Sequence, residues 1–171
     1  MQTIRRTQIA GTVLLLMTAV LIVAGCSRTP KLEGRVTDLA SAFSAAEAQR
    51  ISSMLSAYED ETSHQLAVLT VPSLEGESLE AFSLRVANAW GLGRKGVDNG
   101  ILVILAMRER AARIELGLGF EPYISDAAAE EIMNQTMIPA FARGQFAEGV
   151  EAGLTRLMNE GRKFAVPRRA A

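Results

Sequence analysis

Two periods divide the apolar positions of this chain. Ile51, Met54, Leu55 and Tyr58 recur at helical spacing, and so do Leu79, Phe82, Val86 and Trp90, and Phe146, Val150, Leu154, Leu157 and Met158. Between them lie strand-like runs: Gln65 to Val71, rich in leucine and β-branched residues and stopped by Pro72, the unbroken apolar run Ile101 to Met107, and the alternating Arg113-Ile114-Glu115-Leu116. Arg35 to Asp38 adds a short strand or extended arm. Ser44 with Glu47 three residues later makes a capping-box pair for the first helix, which gives out near Thr62-Ser63-His64. Gly91 and Gly93 end the second helix. An alanine-rich helix runs from Ala127 to about Met137 and breaks around Pro139.

The order is strand, helix, strand, helix, two strands, two helices. It predicts an α/β fold, a three-layer αβα sandwich with a small mixed β-sheet. The strands at 65–71 and 101–106 flank a helix, so they are expected to be parallel, with a right-handed crossover. The charged turn Arg108-Glu109-Arg110 then folds the next strand back as an antiparallel hairpin at a sheet edge.

The N-terminus obeys a different pattern. Arg5 and Arg6 precede an uncharged apolar segment, Ile9 to Gly25, which stops at Cys26, the only cysteine. Leu21-Ile22-Val23-Ala24-Gly25-Cys26 resembles the lipobox of a bacterial lipoprotein, in which the cysteine is acylated and becomes the new N-terminus. The alternative is an uncleaved span, since the run is close to the ~20 residues that crossing a bilayer requires. The small-residue cleavage site favours the signal peptide. The division is therefore signal peptide 1–25, lipidated tether 26–33, folded domain 34–165 and frayed tail 166–171. Under either alternative the domain is held at a membrane of the bacterial cell envelope, facing the periplasm or the exterior. Ser27 after Cys26 directs a Gram-negative lipoprotein to the outer membrane.

Composition narrows the function classes. Without Arg5 and Arg6 the chain has 16 basic against 19 acidic residues, a net charge of −3, and no basic stripe for nucleic acid. A single Cys excludes an intrachain disulfide and, with a single His, leaves too few soft ligands for structural zinc.

The candidate chemistry gathers around the hairpin. Its first strand starts after Asp98-Asn99-Gly100 and its second ends before Gly117-Leu118-Gly119-Phe120-Glu121, with Asp126 close behind. Strand reversal is expected to put Asp98, Asn99, Glu121 and Asp126 at one end of the sheet, an oxygen-rich set suited to calcium or magnesium. The plainer alternatives are a turn at Asp98-Asn99-Gly100 and a helix cap at Ser125-Asp126. Asp38, with Glu75 and Glu77, is a competing set at the opposite end, where open α/β sheets usually bind ligands. His64 reads as a solvated turn residue, and Trp90 and the methionines as core. A phosphatase cysteine loop, a paired-aspartate motif and a histidine placed for phosphoryl transfer are all missing, which favours binding over catalysis.

Several segments together resemble the TPM domain family: Gly34 to Asp38, Trp90-Gly91-Leu92-Gly93, Asp98 to Leu102, Glu115 to Glu121, Ser125-Asp126-Ala127, and Ile138-Pro139 with Phe141. The resemblance runs over about residues 34–160. It implies an extracytoplasmic αβα sandwich attached to a membrane, with acidic loops that bind calcium or magnesium in some members. It also marks Asp38 as a cation ligand. Acid-phosphatase activity is attributed to some members, whereas others look like binding or repair factors. The expected function is a membrane-tethered, cation-binding interaction or membrane-protein quality-control module for other envelope proteins, with a metal-dependent acid phosphatase as the alternative.

Overall fold

The computed structural model describes residues 29–120 and 122–163. Residues 1–28, which include the expected signal peptide and Cys26, lie outside the described residues, as do Glu121 and residues 164–171. Four strands, β1 (Val36–Asp38), β2 (Gln65–Val71), β3 (Gly100–Ala106) and β4 (Ala111–Leu116), form one sheet in the order β1-β2-β3-β4. The first three are parallel, and β4 runs antiparallel to β3 as the hairpin requires. The helices are α1 (Ala45–Thr62), α2 (Leu79–Trp90), α3 (Asp126–Ile132), α4 (Ile138–Phe141) and α5 (Phe146–Arg162).

Alternation along the strands builds two cores. Leu66, Val68, Ile101, Val103 and Ile114 point to one face, where α1 and α5 cover them with Ile51, Leu55, Val150 and Leu154. Ala67, Leu69, Leu102 and Ile104 point to the other, where α2 supplies Phe82 and Val86. That makes the three layers. All residues of β3 are buried, as befits a central strand covered on both faces.

The chain steps from β1 to β2 to β3 in one direction, yet α1 lies on one face and α2 on the other. The two crossovers therefore have opposite hands, so one departs from the right-handed rule. The departure has a structural result: the loops after β1 and β2 leave the sheet toward opposite sides.

Local signals account for most boundaries. Ser44 Oγ accepts from the Glu47 N–H, while Glu47 accepts from the Ser44 N–H at 2.7 Å, closing the capping box of α1. Ser63 stops α1 in the left-handed region at φ 66°. Pro139 does not break its helix as expected. A π-helical stretch, Met133–Met137, joins α3 to α4, and the Ile138 N–H reaches back to the Met133 carbonyl. This wider turn admits a proline that has no N–H to donate. No helix among the described residues is long and apolar enough to cross a membrane.

Candidate functional site

At the amino ends of β2 and β3, Asn99 is buried and fully used. Its Oδ1 accepts from the Arg94 N–H at 2.8 Å, its Nδ2 donates to the Ser63 carbonyl at 2.9 Å, and its own carbonyl accepts from the Gln65 N–H at 3.0 Å. It staples the end of α1 and the start of β2 to the loop before β3. Asp98, in the left-handed region at φ 51°, is exposed. Its carbonyl accepts from the Gly119 N–H at 3.1 Å. A Cβ on Gly117 would stand 2.1 Å from that same carbonyl oxygen, so glycine here serves a backbone-to-backbone contact.

Asp126 is placed elsewhere. Ser125 caps α3 by accepting from the Ala128 N–H, and Asp126 opens the helix in a cleft of about 360 Å³ that also holds Arg113, Glu80 and Glu130. Arg113 pairs with Ile104, four residues into β3 from Gly100. The hairpin thus keeps Asp98 and Asn99 together, while Asp126 lies alongside the middle of β4. Among the described residues no group of three or more His, Cys, Asp or Glu side chains is arranged to hold a metal ion. The described members of the expected set do not assemble a cage.

At the carboxyl ends, Asp38 organises the loop after β1. Its carboxylate accepts from the Ala42 and Phe43 N–H groups, each at 2.9 Å, and from the Thr70 hydroxyl, which in turn accepts from the Ala40 N–H. Ser41 is held in the left-handed region within that loop. The loop after β2 is fixed by Glu109 of the hairpin turn, which accepts from Ser73 Oγ at 3.0 Å and from the Leu74 N–H at 3.1 Å. Glu75 there has φ 52°. Where these loops part, Leu39, Ser73, Leu74, Glu75 and Arg85 line a crevice of about 250 Å³. Glu77 belongs to the rim, but Arg85 pairs with it at 2.6 Å and holds its carboxyl below the usual range.

A larger cleft, about 500 Å³, opens at the same end between the hairpin turn and α4–α5. Met107, Ile138, Phe141 and Phe146 give it an apolar lining, and Arg110 is its one charged residue. Among the described residues the Arg110 guanidinium has no hydrogen-bond or ion-pair partner. Periodicity does not reveal this cleft, because the break expected at Pro139 assigns no face to Ile138 and Phe141; beyond the π stretch Met133–Met137, Met137 is buried while Ile138 is 37% exposed.

His64 departs from the solvated turn that its neighbours in sequence imply. It is buried at 7% exposure, not solvated: Nδ1 lies 2.9 Å from the Tyr58 hydroxyl, and the ring meets Phe120 edge-on. Burial lowers the His64 pKa and pushes that of Tyr58 up to about 12. Trp90 is only partly buried, and its indole N–H donates to the Pro30 carbonyl at 2.7 Å.

The sequence matches a family model for the TPM domain over residues 36–160. The chain belongs to the TPM domain family. Among solved structures, it is similar to the N-terminal domain of a P. gingivalis protein at 31% identity and a TM-score of 0.71, covering 80% of this chain and 87% of that one. The BA42 protein of the psychrophilic bacterium Bizionia argentinensis shares the fold at 18% identity and a TM-score of 0.65, covering 81% of this chain and 90% of that one. So does the N-terminal domain of the cg2496 protein from Corynebacterium glutamicum, at 17% identity and a TM-score of 0.59, covering 84% of this chain and 88% of that one. No curated protein matches the sequence.

Proposed function

We propose that this TPM domain is a binding module, held on the outside of a cell membrane through a lipid on Cys26, that engages other envelope proteins. The observation that carries this reading is the apolar cleft beside Arg110. Its volume of about 500 Å³ falls within the ~300–1,000 Å³ of ordinary ligand pockets. A partner's apolar side chain fits the walls, and a neighbouring carboxylate of that partner pairs with the free guanidinium. A divalent cation, calcium or magnesium, belongs to the same proposal. Asp98, with its exposed carboxylate, is its first attachment point, and backbone carbonyls and water complete the shell.

A photo-crosslinking residue in place of Phe146, used in intact envelopes, tests the cleft. The expected result is a discrete set of protein adducts that Ile138→Glu abolishes. Adducts unchanged by Ile138→Glu would remove the cleft from the proposal. Hydrolysis of a chromogenic phosphate ester that disappears in Asp98→Asn would turn the reading toward the acid phosphatase.

A further inference from the structure

The described chain begins clamped to α2. Arg85 Nη1 donates to Thr29 Oγ1 at 2.7 Å, and the Trp90 indole donates to the Pro30 carbonyl at 2.7 Å. Arg85 is itself fixed, paired with Glu77 and stacked 5.1 Å from the centre of the Phe82 ring. Cys26 precedes Thr29 by only three residues. Three residues span at most about 10 Å even when fully extended. A domain of this size has a radius of gyration of about 14 Å. A leash shorter than that radius, fastened at α2, keeps the face carrying α1 and α5 away from whatever holds Cys26.

The surface around the clamp suits contact with a bilayer. Ala81, Leu84 and Asn88 form an uncharged exposed stripe along α2, with Leu84 at 52% exposure. Leu32 is exposed beside the clamp, and Lys31, Arg94 and Lys95 are exposed near its two ends in sequence, together with the exposed acids Glu33 and Glu80. Trp90, apolar with one polar tip, is of the type that collects at membrane interfaces.

From this placement we infer that α2 is the membrane-facing side of the domain and that its partner there is the lipid surface itself. The inference rests on the proposed lipid at Cys26. The sheet then stands between the bilayer and the layer of α1 and α5, whose outer side faces away from the membrane. The clamp at Thr29 and Pro30 holds this orientation.

The test uses the full-length lipoprotein reconstituted in phosphatidylethanolamine–phosphatidylglycerol vesicles, with its lipid verified by mass spectrometry and a fluorophore on Leu84→Cys or Thr155→Cys. The Leu84 label is expected to be several-fold less accessible to an aqueous quencher than the Thr155 label on α5, and to be quenched by nitroxide lipids. Trp90→Phe keeps an aromatic ring but removes the indole N–H, and with Arg85→Met it frees the leash, so the difference between labels is expected to shrink at unchanged fold. Equal accessibility in the lipidated wild type overturns the orientation alone. A persistent difference in the freed variant overturns the clamp as its cause. A mature protein without lipid on Cys26 overturns the anchor, and the inference with it.

Discussion

The Tyr58 hydroxyl and His64 Nδ1 lie 2.9 Å apart beneath Gly161 of α5, where a Cβ would stand 2.1 Å from the hydroxyl oxygen. The pair joins the end of α1 to the start of β2 inside the core, and both groups are neutral there. Burial lowers the His64 pKa from 6.5, so below that value the unfolded chain takes up a proton that the folded one refuses. Stability is therefore expected to be whole above pH 6.5 and to fall as the pH drops through it toward the lower folded value. Tyr58, raised from 10.0 to about 12, acts at the other limit: stability falls as the pH rises between those values. Thermal melts across pH measure both limbs. His64→Leu should flatten the acid limb and cost about 1–3 kcal/mol at neutral pH, because the Tyr58 hydroxyl loses its ring partner.

Gly117 offers a sharper steric test. Any Cβ there meets the Asp98 carbonyl oxygen, which is backbone and cannot swing aside. Gly117→Ala is expected to destabilise by about 3 kcal/mol, the upper part of the overpacking range, measured by urea unfolding. The loss should be accompanied by amide shifts at Asp98 and Gly119, whose hydrogen bond closes the same contact. A loss under ~0.5 kcal/mol would mean the loop is free to retreat.

Of the three aspartates assigned to a cation from sequence, Asp38 and Asp98 separate in their expected behaviour. Asp38 already accepts two N–H bonds and a hydroxyl bond. Asp38→Asn sets an amide NH₂ against a backbone donor, so unfolding free energy should fall by about 1–3 kcal/mol equally with and without calcium. Asp98 has an exposed side chain, and Asp98→Asn should leave stability within about 0.5 kcal/mol. In an NMR titration at millimolar calcium, amides around Asp98 are expected to move in the wild type and not in Asp98→Asn. Those at Asp126, alongside β4, should stay still. Unmoved wild-type amides around Asp98 would remove the cation from the proposal.

What could be read from sequence, and what could not, follows the range of each interaction. The capping box at Ser44 and Glu47, the strand from Gln65 to Val71 and the edge hairpin depend on neighbours a few residues away, and they stand where the pattern puts them. His64 depends on the left-handed turn at Ser63 and on Phe120, far along the chain, so polarity alone misplaced it. Asp126 depends on how the 3₁₀ turn at Leu118–Phe120 redirects the chain after β4. The opposite hands of the two crossovers leave no mark in periodicity, although they open the crevice at Glu75. Pro139 predicts a break by its usual effect, which the π turn cancels.

The free edge of β4 carries its own safeguard. On the face where β3 presents Leu102 and Ile104, β4 presents Arg113 and Glu115, paired at 2.7 Å, and Glu115 also accepts from Ser83 of α2 at 2.8 Å. Charges pointing inward at a sheet edge discourage another strand from joining it, because a docking strand would bury them. A pair this enclosed adds little net stability over apolar residues of similar size. Arg113→Val with Glu115→Val is therefore expected to leave the monomer's melting temperature nearly unchanged or slightly raised while promoting association through β4. Light scattering behind a sizing column, over a range of protein concentrations, measures it. Either single substitution should be worse for stability than the double, since it leaves one charge half-buried without its partner. A double variant that stays monomeric at high concentration would show that the edge is guarded by its shape and not by this pair.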